Sequence, residues 1–143
     1  MKHLLAVIII GFLSVSAFAQ KSDDILGVWW NQEKDAKIEI YKDGKVYRGK
    51  IVWQKEPLNE SGKPKVDKNN PDVKLQSRPV MGLVVLNDLE WDDDEWDSGS
   101  IYDPKNGSTY SCYITMPNQN TLKLRGYIGF SLIGRTATWE RAK

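Results

Sequence analysis

The side chains in this chain that could do chemistry are carboxylates, arginines, aromatic rings and one thiol. Among 143 residues there is one histidine, His3, and one cysteine, Cys112. His3 lies in an N-terminal segment that reads as a removable leader. Past that segment the chain lacks the side chain most used as base, proton shuttle and metal ligand near neutral pH. A lone thiol makes no internal disulfide and no Cys-x-x-Cys pair. Catalysis would then fall to carboxylates. Glu33, Asp35, Asp67, Asp72 and Asp103 are available for glycoside hydrolysis, but no spacing singles out two of them. No Ser-x-x-Lys motif occurs, and Cys112 sits mid-run among apolar neighbours without its usual histidine partner. We assign no catalytic residue, no metal site and no cofactor, and a carboxylate-dependent hydrolase is the least favoured class.

Two charged segments have simpler explanations. Glu90-Trp91-Asp92-Asp93-Asp94-Glu95-Trp96-Asp97 is dense enough in oxygen to suggest calcium. It lacks the alternating Asp/Asn positions, central glycine and closing glutamate of a calcium loop. A solvated hairpin loop flanked by two half-buried tryptophans is the preferred reading. In Asp103-Pro104-Lys105-Asn106-Gly107, Asp opens a turn, Pro fixes φ, and Asn-Gly accepts positive φ.

The aromatic and basic residues carry more. Trp29, Tyr47, Trp53, Tyr102, Tyr110, Tyr127 and Trp139 recur at strand positions and could line a lumen. Rings with a polar edge suit a small ligand with an apolar body and polar handles. Arg78, Arg125 and Arg135 could meet a carboxylate or phosphate. Tyr47, Trp53, Tyr102, Tyr110, Arg125 and Tyr127 are the candidate ligand-binding set. The structural alternative is that the rings fill the interior and the arginines sit at its rim.

The elements that must position these residues are strands. Short alternating runs separated by turn residues recur, without a long helical period. Eight strands are expected: Gly27 to Asn31, Ala36 to Lys42, Lys45 to Gln54, Pro79 to Asp88, Gly99 to Asp103, Ser108 to Met116, Thr121 to Ile128 and Arg135 to Arg141. Asp43-Gly44 makes a two-residue hairpin turn between the second and third. On the third, Tyr47, Gly49, Ile51 and Trp53 share a face. The stretch 55–77 is rich in Lys, Asn, Asp, Pro and Gly and forms a long connection, either functional or a solvated excursion over one barrel end. Eight strands with mostly short connections suggest an antiparallel up-and-down β-barrel, which removes exposed edges and can enclose one small ligand. A two-sheet sandwich is the structural rival.

The leader explains the rest of the composition. Lys2 and His3 precede an apolar run from Leu4 to Val15, and Ala17-Phe18-Ala19 offers small residues for cleavage before Gln20. That run is too short for a comfortable membrane span. Residues 1–19 are therefore expected to be a signal peptide and 20–143 a single exported domain, periplasmic or secreted from a bacterium. Cleavage removes Lys2 from the 20 basic residues, leaving them level with the 19 acidic ones. A neutral chain has no general attraction to nucleic acid or anionic membrane. In an oxidising compartment Cys112 is best explained by burial.

Gly27-Val28-Trp29 resembles the Gly-x-Trp opening of calycin barrels: lipocalins, fatty-acid-binding proteins and avidins. That resemblance implies that Trp29 plugs one end, with Arg141, following Trp139, packed across it. Trp29, Trp139 and Arg141 are thus the expected barrel-closing residues. The opening through Gln32 also looks like that of avidins. Glu33, Lys34 and Asp35 then stand where an avidin-like site has small or apolar residues and hydroxyls, so biotin binding is not implied. A broader match is spread along the chain: Gly27-x-Trp29, Asp67 with Asn70-Pro71, Arg78-Pro79-x-x-Gly82-Leu83, Gly99-x-Ile101-Tyr102-Asp103-Pro104, Gly107-x-x-Tyr110, Arg125-Gly126-Tyr127 and Gly134-Arg135-Thr136-x-x-Trp139. This pattern resembles a family of small exported bacterial proteins known as domain of unknown function 2147. The resemblance implies a secreted calycin-like barrel and no particular activity. The expected function is binding of a small, partly apolar ligand inside the barrel. The alternative is a protein-interaction or envelope accessory module that uses the 55–77 loop.

Overall fold

The computed structural model describes residues 20–143 other than Ser131, so the expected leader at 1–19 lies outside the described residues. Eight strands follow one another: β1 (Gly27–Trp30), β2 (Ala36–Asp43), β3 (Val46–Gln54), β4 (Val84–Asp92), β5 (Glu95–Asp103), β6 (Ser108–Asn118), β7 (Thr121–Tyr127) and β8 (Gly134–Arg141). They close in chain order into an antiparallel barrel, sealed where Trp29 and Trp30 of β1 pair with Arg141 and Glu140 of β8. The expected all-β, up-and-down architecture is the one observed.

Two strands begin earlier or later than the sequence suggests. Pro79 to Leu83 is not strand but a turn, with Gly82 at φ +83°. β4 starts at Val84 and continues through the acidic run, and β5 begins at Glu95 rather than Gly99. The hairpin between them is tight, with Asp93 at φ +59°, a conformation that short polar side chains tolerate. Trp91 and Trp96 face each other across it with ring centroids 4.6 Å apart. That cross-strand aromatic contact offsets the crowding of carboxylates at the tip. Trp96 is fully buried rather than half-buried.

Bulges decide which side chains face inward. Asp88 on β4 and Ser98 on β5 both adopt positive φ, at +56° and +58°. Each adds a residue to its strand, so Leu86 and Leu89, three apart, both point into the core. A Cβ on Gly99 would lie 2.6 Å from the Leu89 side chain. Only glycine lets Leu89 lie flat across β5 there. A third irregularity sits between Lys37 and Ile38: Lys37 pairs with Trp53, and Ile38 pairs with Ile51. The skipped residue reverses the alternation beyond Ile51, because one extra residue moves every following side chain to the other face.

One end of the barrel is closed by the 3₁₀ turn Ser22–Ile25, which precedes β1. Trp29 is completely buried and its indole donates to the Ile25 carbonyl at 2.9 Å. The Arg141 guanidinium lies over the Trp29 ring, 4.2 Å from its centroid. The same guanidinium donates to the carbonyls of Asp24, Leu26 and Gln119, so charge, ring and turn form one unit. The Trp96 indole donates to the Ser22 carbonyl, and the Tyr47 hydroxyl to the Asp23 carboxylate at 2.6 Å. Ile40, Leu89, Ile114, Met116 and Leu122 fill the space beneath.

Candidate functional site

The other end is open. Ala36, Ile38 and Ile51 from β2 and β3, Val85 and Ile101 from β4 and β5, and Leu124, Ala137 and Trp139 from β7 and β8 line a cavity of about 1660 Å³. Its floor is Trp139, paired across strands with Leu122 and almost fully buried. Two residues before Trp139 stands Ala137, and two before that Arg135, so the alternation carries all three on the lumen side. Arg135 lines the cavity near its mouth. It is exposed, and among the described residues its guanidinium makes no ion pair or hydrogen bond. At about 3.3 Å per residue, its backbone lies roughly 13 Å farther along the strand than that of the floor. Tyr110, paired with Ile101, adds a ring whose hydroxyl accepts from the Asn106 amide at 3.1 Å.

The mouth is built from four connections. The β1–β2 turn contributes Asp35, which accepts from Asn31 at 2.6 Å and from Lys105 of the β5–β6 turn at 2.7 Å. Burial works to raise the Asp35 pKa, but these contacts outweigh it and hold the carboxyl below its ordinary value. The long β3–β4 connection is the largest part of the rim and is ordered by one buried node. Asp67 is completely inaccessible and accepts from the Tyr102 hydroxyl at 2.6 Å, the Arg78 Nε at 2.8 Å and the Asn70 amide at 2.9 Å. Burial pushes its pKa upward, and the three donors more than reverse this, so the carboxyl titrates below the usual range. Tyr102 is displaced upward, first by burial and then by its bond to Asp67. The neighbouring Asn69 donates to the carbonyls of Pro104 and Lys105. Its own carbonyl lies 1.9 Å from where a Cβ on Gly107 would be. The Asp103–Gly107 turn is thus the turn expected from its chemistry, and its glycine also admits the long connection.

The structure separates the candidate ligand-binding set. Tyr110 and Tyr127 border the cavity. Tyr127 does so at the rim, its ring 6.3 Å from that of Tyr113. Tyr102 touches the cavity only from the rim and is otherwise held against Asp67 beneath the long connection. Trp53 does not share the inward face with Tyr47, Gly49 and Ile51. The bulge turns it to the outer wall, where it meets Trp30 edge-on at 5.3 Å with the Lys37 ammonium over both rings. Tyr47 faces inward but belongs to the closed end, bonded to Asp23 and away from the cavity. Arg125 is on the outer wall opposite Thr136, donating to its hydroxyl and to the Leu132 carbonyl. Arg135, the next inward position across β7 and β8, takes the place that Arg125 was expected to fill. Of the expected barrel-closing residues, Trp29 and Arg141 form the plug, whereas Trp139 is the cavity floor. Ile38, Ile51, Val85 and Leu124 are the wall positions that a search for aromatic and charged residues passes over.

Two further groups are accounted for by their surroundings. Cys112 is buried on the inward face of β6, and burial pushes its thiol up to about 12, which leaves it protonated and unreactive. Among the described residues no three acidic, cysteine or histidine side chains converge as a metal site would require. No helix among the described residues is long and apolar enough to cross a membrane.

Eight antiparallel strands in chain order, plugged at one end by Trp29 under Arg141 and hollow at the other, define a lipocalin-like barrel. Among solved structures, the protein HP1028 from the human pathogen Helicobacter pylori, described as belonging to the lipocalin family, shares it. The two are 23% identical over 82% of each chain, with a TM-score of 0.71, a likeness of fold. No curated protein matches the chain. The chain belongs to the family DUF2147, described as an uncharacterised protein conserved in bacteria, whose profile matches residues 27–141.

Proposed function

We propose that this protein is an exported binding barrel that holds a small amphiphile, with its apolar body in the lumen and an acidic head at Arg135. The observation that carries the reading is the open cavity of about 1660 Å³, whose inner wall is aliphatic side chains and Trp139, whose mouth is polar connections, and where Arg135 stands between the two. A cation with no protein partner beside an apolar pocket is a ready acceptor for a carboxylate or phosphate. The roughly 13 Å of strand between Trp139 and Arg135 bounds the length of the apolar body to that of a short alkyl chain. Export is supported by the leader-like residues 1–19 and by a lone thiol kept inside the barrel. Binding is favoured over catalysis because Arg135 stands on the strand face that carries the aliphatic wall and Trp139, whereas the lysines and carboxylates of the lining belong to the connections at the mouth, and Asp35 among them is tied to Asn31 and Lys105. The interaction reading of the 55–77 loop is weaker: Asp67 and Asn69 fasten that segment to the barrel, and it serves as part of the cavity rim.

Calorimetric titration with decanoate and with decanol tests the proposal. Decanoate should bind measurably and decanol about tenfold more weakly, with Arg135→Gln bringing decanoate down to the alcohol's level. Absence of binding by either compound, together with a lumen that excludes short alkyl carboxylates of any length, would overturn it.

A further inference from the structure

Among the described residues, the connection between β7 and β8 gathers the most exposed large apolar side chains. Ile128, Phe130, Leu132 and Ile133 are 70%, 75%, 90% and 68% exposed. Isolated apolar residues at a surface are ordinary, but four on one short connection form a patch of the kind that marks an interaction site. The stretch 126–134 carries no charged side chain, and it is bounded in sequence by Arg125 and Arg135. The strand register places both arginines at its base, Arg135 opposite Gly126 and Arg125 opposite Thr136. Ile128 and Ile133 also line the cavity, so the apolar patch runs continuously into the mouth.

We infer that this connection docks the open end of the barrel onto an anionic lipid bilayer. The arrangement is an apolar tip with one arginine on each side of its base, Arg135 on the lumen side and Arg125 on the outer wall with bonds to Thr136 and Leu132. It places rings and aliphatic chains at the level of the acyl boundary and positive charge at the level of the phosphates. Four side chains on one loop fall well short of the roughly 800 Å² per partner that a stable protein interface needs, so a second copy of the chain is the poorer occupant. Insertion into a bilayer needs no complementary partner surface, only depth. Docked in this way, the mouth opens onto the lipid, and an amphiphile could pass between membrane and lumen without crossing water. That last consequence rests on the proposed lumen binding, whereas the docking itself does not.

The test is flotation of the chain from Gln20 onward, which contains every strand of the closed barrel, with vesicles of phosphatidylcholine alone or mixed with phosphatidylglycerol. The protein should float with the mixed vesicles, and F130S/L132S should lower the bound fraction at least tenfold. Arg125→Gln with Arg135→Gln should produce a smaller, salt-sensitive loss. Decanoate titration of F130S/L132S, which leaves the lumen residues in place, reads the two proposals separately: unchanged decanoate binding with lost flotation supports docking. No flotation of the parent protein, equal flotation of F130S/L132S, or a concentration-dependent dimer abolished by the same substitutions would each overturn it.

Discussion

The two ends of this barrel use arginine in opposite ways. At the closed end Arg141 is saturated: a tryptophan face beneath it and three backbone carbonyls around it. At the open end Arg135 lines a cavity and has no such partners among the described residues. A cation enclosed by protein acceptors fixes structure, whereas an exposed one beside an apolar wall is open to an acceptor from outside. The same contrast runs through the tryptophans. The Trp29 and Trp96 indoles donate to carbonyls of the plugging turn, whereas Trp139 presents its ring as a floor. On the proposed reading, stability belongs to one end and recognition to the other.

The contrast can be broken most severely at the plug. Trp29→Ala should cost about 3–5 kcal/mol, since it removes a fully buried ring and leaves Arg141 without its platform; chemical denaturation measures it. If the loss were under about 1 kcal/mol, the closed end would not be the stabilising one. Next comes the rim. Asp67→Asn should cost about 2 kcal/mol by leaving Arg78 without its charge partner and weakening the Tyr102 bond. It should also increase protease cleavage within 55–77.

The pH dependence follows from the direction of the Asp67 shift. Its folded-state pKa lies below the ordinary value of 3.8, so its contribution is complete above that value and disappears as pH falls through the depressed folded pKa. Acid unfolding followed at and below pH 3.8 should therefore show a steeper loss in the parent protein than in Asp67→Asn. Smaller still is the effect at the open end. Arg135→Gln should change stability by no more than about 0.5 kcal/mol while removing the preference for an acidic ligand. The least visible change is at Cys112, which should resist thiol reagents in the folded protein and react on unfolding. Rapid labelling of the native barrel would show that β6 opens.

Much of this division was legible before the structure. The resemblance carried by Gly27-x-Trp29 and the late Arg141 pointed to a plugged end, and alternation in the sixth and eighth strands put Tyr110 with Cys112, and Arg135 with Ala137 and Trp139, on one face each. What alternation could not reveal were the bulges. An extra residue leaves no mark on a two-residue period, so Trp53 was read as inward although it stands outside against Trp30. The same blindness shifted the start of β4, where an apolar run from Val80 to Leu86 conceals the turn made by Pro79 and Gly82. The placement of Arg125 and Arg135, both named as candidates, was hidden for a related reason: ten residues apart they would share a face if parity held, but the β7–β8 connection breaks it, so Arg125 is on the outer wall and Arg135 lines the cavity. The long connection was found as a loop, and the residues that tie it down, Asp67, Asn70, Arg78, Tyr102 and Gly107, were visible as scattered motif positions. Only the fold shows that they meet at one place.

The division between the ends is tested most directly by following the tryptophan indole resonances during titration with decanoate. The expected result is a shift of the Trp139 signal, with Trp29 and Trp96, hydrogen-bonded at the closed end, left where they were. Shifts of Trp29 and Trp96 without Trp139, or no shift at saturating decanoate, would contradict the assignment of recognition to the open end.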